Sequence, residues 1–152
     1  QRVNDRRAQE NPHPLFVTMA LGIIHADTGH VQITCGGHPP LLIRRADRKV
    51  ERIPQPAGRL LGFVVGPQQF QNSELQLQPQ DTIMLYTDGL TETYDQSRQT
   101  MFGLDRLVTV LQNLPQETNC ESWEHTIKAS LETFSGKTEN EDDLTIFLLR
   151  RL

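Results

Sequence analysis

The feature that most constrains this chain is the order in which its hydrophobic periodicity changes. Up to residue 87 the apolar residues fall into short runs of strand length. After residue 103 they form two stripes with helical spacing, and the chain closes on the continuous run Leu144 to Leu149. Strands first, two helices next and one strand last do not give the alternation that a doubly wound parallel sheet needs. They predict an α+β domain, layered, with a mostly antiparallel sheet and two helices before the last strand.

Each run can be assigned locally. Phe16 to His25 and His30 to Thr34 flank Asp27-Thr28-Gly29 and read as a β-hairpin. Leu41 to Arg45 and Lys49 to Ile53 flank Ala46-Asp47-Arg48 and read as a second. Phe70 to Leu77 places Phe70, Leu75 and Leu77 among Gln, Asn, Ser and Glu, as a strand with one wet face does, and Pro79-Gln80-Asp81 is expected to turn it back. Thr82 to Thr87 is a short apolar run that stops abruptly at Asp88-Gly89, the pattern of a central strand delivering a residue to a sheet edge. Leu104, Leu107, Val108 and Leu111 make one helical stripe and Trp123, Ile127, Leu131 and Phe134 the other. Thr118 with Glu121 reads as a capping box for the second helix. Residues 1–14 are polar, helix-like at the start, and end in Asn11-Pro12-His13-Pro14, whose prolines push the backbone toward an extended form.

Composition excludes several function classes. A chain of 152 residues is the size of one ordinary domain, and 36% hydrophobic with 22% charged residues is enough apolar matter to fold. A formal charge of −4, with no cluster of Lys and Arg longer than a pair such as Arg44-Arg45, gives no footprint for nucleic acid. Cys35 and Cys120 lie far apart and outside any C-x-x-C motif, so free thiols in a reducing, cytoplasmic setting are expected. No apolar run approaches the roughly 20 residues of a bilayer span, so no membrane insertion is expected.

Chemistry concentrates at two strand ends. Asp88 follows Ile83-Met84-Leu85-Tyr86-Thr87, and Asp142-Asp143 precede Leu144-Thr145-Ile146. Carboxylates fixed at strand ends suit hard cations such as Mg2+ or Mn2+, which take oxygen ligands and complete their shell with water. Gly89 is expected to let the chain turn with positive φ behind Asp88. Alone, Asp-Gly is an ordinary turn and Asp-Asp an ordinary solvated strand edge.

The ordered set says more. Phe16-Val17-Thr18, Gly36-Gly37-His38-Pro39-Pro40-Leu41-Leu42, Leu61-Gly62, Asp81, Leu85-Tyr86-Thr87-Asp88-Gly89-Leu90-Thr91-Glu92, Phe102-Gly103 and Asp142-Asp143-Leu144-Thr145 are seven motifs in one order. From about residue 10 to the end, the chain resembles the RsbU/SpoIIE branch of the PPM (PP2C-like) metal-dependent serine/threonine protein phosphatases. The resemblance implies an αββα sandwich whose two-metal centre activates water for attack on phosphoserine or phosphothreonine. It implies Asp88 and Asp142 as catalytic, Asp88, Gly89, Asp142 and Asp143 as the metal-site residues, Mn2+ or Mg2+ as the cofactor and no organic cofactor. Paired metals about 3.5–4 Å apart generate hydroxide near neutral pH and neutralise phosphoryl oxygens. As substrate the resemblance implies a phosphorylated STAS-type regulatory protein, an anti-sigma-factor antagonist in bacterial signalling.

The chain departs from the family twice. The amino-terminal Gly-Asp motif that bridges both metals has no counterpart before Phe16, where Asp5 stands alone, and the usual Asn-Ala-Gly-His reads Cys35-Gly36-Gly37-His38. Residues 1–14 are accordingly expected to be the remnant of a helix and linker, and residues 15–152 the carboxy-terminal part of a phosphatase domain with its amino-terminal portion missing. Such a piece is expected to be weakly active or inactive. Its unpaired sheet edge is expected to favour self-association as a homodimer. His38 reads as a structural imidazole, Cys35 as a buried small hydrophobe, and Glu92, Thr87 and Asp81 as residues that orient loops or ligands. The alternative function is a non-catalytic PPM-like binding or regulatory module. A Ser-His-Asp hydrolase is excluded for want of a Gly-x-Ser-x-Gly elbow.

Overall fold

The computed structural model describes residues 2–13, 15–53, 60–62, 70–137 and 142–152. It is a mixed α+β fold with antiparallel sheets, as the order of periodicities predicts. The elements are α1 (Arg2–Gln9), β1 (Met19–Ile24), β2 (His30–Gly36), β3 (Leu42–Arg44), β4 (Val50–Arg52), β5 (Ser73–Gln76), β6 (Thr82–Tyr86), α2 (Asp88–Thr91), α3 (Gly103–Asn113), α4 (Cys120–Ser135) and β7 (Ile146–Arg150). They form two compact units, Gln1–Pro40 with Pro54–Leu77 and Leu41–Ile53 with Gln78–Leu152.

In the first unit the sheet order is β1-β2-β5, all antiparallel. Both expected hairpins form, but the second belongs to the other sheet. Strand β5 returns to pair with β2, not with β6, so Pro79-Gln80-Asp81 is not the turn of a hairpin. The correction has a physical cause: alternation in β5 specifies one wet face and is silent about which strand lies beside it. Val31, Ile33 and Cys35 of β2 point to the buried face, and Gly37 continues the strand into a turn at φ 69° that favours glycine. Helix α1 is tied to the same unit through buried Asn4, whose Oδ1 accepts from Gly62 N at 3.0 Å.

Strand β1 is the conspicuous edge. Met19, Leu21 and Ile23 share the face of Gln32 and Thr34, and Leu21 and Ile23 are 55% and 56% exposed. Among the described residues no strand pairs the far side of β1, and its sequence Met-Ala-Leu-Gly-Ile-Ile carries no charge to blunt it. We expect concentration-dependent self-association, relieved by Leu21→Lys with Ile23→Lys. Sedimentation velocity checks this, and a strictly monomeric wild-type chain at high concentration would contradict it.

In the second unit the order is β4-β3-β6-β7, so β6 is interior, as expected of its continuous apolar run. Leu42, Met84, Tyr86, Ile146 and Leu148 face Leu107, Leu111, Trp123, Ile127 and Leu131 of α3 and α4, while Ile43 and Ile83 are buried on the opposite face. A strand apolar on both faces loses the alternation of a half-wet one. Helix α4 is capped one residue later than Thr118 and Glu121 suggested. Asn119 accepts from Ser122 N at 2.9 Å, whereas Thr118 Oγ1 donates to Pro115 O. Asn is as good a cap as Thr, and the loop from Pro115 decides between two adjacent candidates.

One row across the sheet is polar, with two members buried and the third half-buried. Register places Arg44, Thr82 and Arg150 side by side on β3, β6 and β7. Trp123, fully buried, stacks against both guanidinium groups, at 4.6 Å from Arg44 and 4.2 Å from Arg150. Arg44 donates to Leu111 O and Leu114 O at the carboxy-terminal end of α3, at 2.9 and 2.8 Å, where the helix leaves carbonyls unpaired. Arg150 donates to Thr118 O at 2.6 Å and Thr82 Oγ1 at 3.1 Å. The row fastens both helices to the sheet. Asp81, with its side chain 2% exposed, does the same for the β3–β4 turn: it accepts from Arg45 Nη1 at 2.7 Å, Ala46 N at 3.0 Å and Gln78 N at 2.8 Å.

Candidate active site

The site grows out of the end of β6. Past Tyr86 the ladder to β7 runs on by one more pair. Thr87 N donates to Thr145 O at 3.1 Å, and Thr145 N donates not to a carbonyl but to Thr87 Oγ1 at 2.9 Å. The same hydroxyl donates to Asp143 O at 2.8 Å. A threonine hydroxyl has one hydrogen to give and lone pairs to receive. Thr87 uses both to clamp residues 143–145 against the strand end that carries Asp88. Sequence reasoning gave Thr87 only a loop-orienting part, because a threonine closing a strand is unremarkable locally.

Immediately afterwards the chain folds into the single turn α2, with Glu92 N donating to Asp88 O at 2.8 Å. Gly89 is therefore helical, and the expected positive φ is not found. Its glycine serves another end. A Cβ on residue 89 would lie 2.6 Å from Asp143 O and 3.5 Å from Asp142 O, closer than a side chain tolerates in the first case. What excludes a side chain is a backbone 54 positions away in sequence, and no local signal reports it.

The structure thus brings Asp88-Gly89 and Asp142-Asp143 to one corner of the second unit. Both carboxylates are exposed, and each accepts a hydrogen bond from the next backbone N–H: Asp88 Oδ1 from Gly89 N at 3.1 Å and Asp142 Oδ1 from Asp143 N at 2.8 Å. A carboxylate offers about four lone-pair positions, so one such bond fixes the group and leaves acceptor capacity. The donor set is all oxygen, anionic and wetted, which fits Mg2+ or Mn2+ keeping much of its water. Among the described residues no group of three or more His, Cys, Asp or Glu is arranged to hold a metal by itself. Glu139, Asn140 and Glu141, which introduce the last motif, lie outside the described residues.

Three of the remaining candidates have structural surroundings of their own. His38 is half-buried and its Nδ1 lies 3.0 Å from Pro39 O, in keeping with a structural imidazole. Cys35 is buried, and burial pushes its thiol pKa up, away from nucleophilic reactivity. Both belong to the first unit. Asp81 is a structural tie, as described above.

Comparison with solved structures identifies the fold. The chain is similar to the SiaA-PP2C domain of Pseudomonas aeruginosa, at 18% identity and a TM-score of 0.78 over 96% of this chain and 56% of that one. It is similar to the RsbU and RsbW domains of Rv1364c from Mycobacterium tuberculosis, at 24% identity and a TM-score of 0.69 over 97% and 39%. It is also similar to the phosphatase domain of the cell fate determinant SpoIIE from Bacillus subtilis, at 18% identity and a TM-score of 0.67 over 88% and 56%. The fold is that of PP2C-type phosphatase domains, of which the chain spans about half or less in these three solved chains. The model of the family Stage II sporulation protein E (SpoIIE) matches residues 1–152, the whole sequence, and the chain belongs to that family. No curated protein matches the sequence. No helix among the described residues is long and apolar enough to cross a membrane.

Proposed function

We propose that this chain supplies the Asp88 and Asp142 side of a two-metal centre that hydrolyses phosphoserine or phosphothreonine on a regulatory protein. The observation that carries the reading is the Thr87 clamp, which joins the end of β6 to the approach to β7 and sets two carboxylate-bearing segments against each other. Family membership supports the same reaction class. Asp88 and Asp142 would hold Mn2+ or Mg2+, with Asp143 fixing Asp142 through its backbone N–H. When bound, such ions supply a hydroxide near neutral pH and offset charge on the phosphoryl oxygens. The chain's own residues hold and orient. The strand ends keep the carboxylates in place, and the closeness of Gly89 to Asp143 leaves no room for a side chain between them.

As substrate we propose a phosphorylated STAS-type protein, an anti-sigma-factor antagonist of a bacterial cytoplasm. The test is metal-dependent hydrolysis of such a phosphoprotein by the native-length protein. Asp88→Asn and Asp142→Asn should each lower kcat/KM at least about 100-fold, or about 2.7 kcal/mol of transition-state stabilisation. Full activity in both variants would remove the carboxylates from the chemistry and leave a non-catalytic binding module of the same fold.

A further inference from the structure

Beside the carboxylate corner lies a recess of about 160 Å3, lined by Gly89, Glu92, Thr93, Tyr94, Ser135, Lys137 and Asp142. It shares Gly89 and Asp142 with the candidate centre, yet most of its wall comes from elsewhere. One side is the segment after α2, the other the end of α4.

Both sides are held in shape. Residues 93–102 close as a loop through Asp95 N to Thr100 O at 2.9 Å and Phe102 N to Thr93 O at 2.8 Å, with Tyr94 bridged to Met101. Asp95 organises its interior by accepting from Ser97 Oγ and Gln99 N, each at 3.0 Å; desolvation pushes its carboxyl up, but hydrogen bonds from Gln99, Ser97, Thr100 and Arg98 together hold it below the usual range. The loop is packed on the end of α4: a Cβ on Gly136 would meet the Gln96 side chain, and Phe102 meets Phe134 edge-on at 5.4 Å. Thr93 Oγ1 donates to Gly89 O at 2.6 Å, joining the loop to the metal-side segment. Buried Ser135 Oγ accepts from Lys137 N at 3.2 Å, fixing the chain as it leaves α4.

The chemistry of the wall is uneven. Glu92 and Tyr94 lie two residues apart on one side, both of them exposed residues, Tyr94 at 38%. That pair suits a cation, which a carboxylate attracts by charge and an aromatic face by its quadrupole. Lys137, just past α4, lines the other side, and Asp142 adds the carboxylate shared with the candidate centre.

We infer that this recess selects substrate: it receives an arginine side chain that flanks the phosphorylated residue of the target polypeptide, with the guanidinium against Glu92 and Tyr94. The inference rests on the phosphatase reading for why a phosphopeptide lies there, but the selection itself is a binding property. A planar guanidinium can pair with the carboxylate and stack on the ring together, which an ammonium does less well.

The experiment is fluorescence anisotropy of the 152-residue chain with phosphoserine peptides carrying Arg, Lys, Ala or Glu in turn at each of the three positions on either side of the phosphoserine, in Mn2+ buffer. At one position Arg should bind about fivefold more tightly than Ala, equivalent to about 1 kcal/mol, with Lys between them and Glu weakest. Glu92→Lys should invert the order at that position, and Tyr94→Ala should bring Arg level with Lys. Equal affinities at all positions, an order unchanged by Glu92→Lys, or no binding of any peptide would overturn the inference. Hydrolysis of the same peptides by the native-length protein separates the two readings. Selection without hydrolysis removes the phosphatase reading alone, and Asp88-dependent hydrolysis without selection removes the recess alone.

Discussion

Trp123→Ala should lower the unfolding free energy by about 5 kcal/mol, the top of the range for removing a large buried aromatic. Three losses add at this position. The ring is fully buried at the centre of the α3–α4 core, so its removal leaves a cavity that neighbours on two helices and a sheet cannot all close. Its Nε1–H donates to Pro115 O at 2.8 Å and holds the loop between the helices. The guanidinium groups of Arg44 and Arg150 lose the aromatic face they rest on, a contact of about 0.5–2 kcal/mol each when shielded from water. Trp123→Phe keeps a ring but not the donor and should cost about 2 kcal/mol, mainly from the unanswered Pro115 carbonyl and the smaller volume. Chemical denaturation of the three proteins checks this. Equal stability of wild type and Trp123→Ala would mean that the Arg44-Trp123-Arg150 row does not fasten the helices. Small domains have only about 5–15 kcal/mol to lose, so the alanine variant is expected to be at or near unfolding.

Asp81→Ala is the second large effect, at about 3 kcal/mol. Removing one member of a buried ion pair leaves its partner uncompensated, which costs more than the pair contributes. Arg45 retains Glu51, whose Oε2 lies 2.7 Å from Nη2, which places the loss at the lower end of the usual range. The hydrogen bond from Arg45 is the largest influence on Glu51 and, against desolvation, holds its carboxyl below the ordinary value. Ala46 N and Gln78 N lose their acceptor as well, so the β3–β4 turn and the lead into β6 both loosen. Asp81→Asn can still accept through one oxygen and should lose about half as much. Thermal denaturation of the pair decides: if Asp81→Ala melts with the wild type, Asp81 is only a turn residue.

These two positions also show what the sequence could and could not reveal. Trp123 was legible because it sits in a stripe with Ile127 and Leu131, and helical spacing is a property of neighbours in the chain. The arginines beneath it were not. Arg44 sits in a hairpin strand where alternation would assign it to either face, and Arg150 follows an apolar run as a solvated terminus often does. Only the register Arg44–Thr82–Arg150 puts them under one ring. Asp81 read equally well as a turn.

The site divides in the same way. Asp88 and Asp142 were singled out by their places at the ends of apolar runs and by the ordered motifs. Gly89 was expected to turn with positive φ, since local rules read glycine by φ, whereas the structure uses it for closeness to Asp143. The clamp by Thr87 and the recess walled by Glu92, Tyr94 and Lys137 arise from segments about 43 to 58 residues apart, with no pattern inside either segment to announce the other. The two-sheet arrangement was hidden for a related reason: strand alternation fixes a face, and pairing is settled by which edges meet.

A Mn2+ titration of the 152-residue chain by electron paramagnetic resonance, with Asp88→Asn and Asp142→Asn alongside, tests most directly whether the two strand ends form a metal site. One or two carboxylates hold such an ion loosely, so the wild type should bind with a dissociation constant on the order of 1 mM, within the weakest range for oxygen-ligand sites. Each variant should abolish that binding while keeping the wild-type melting temperature. Mn2+ binding of equal strength in the wild type and both variants, or none at several millimolar in any of them, would contradict a shared site at Asp88 and Asp142.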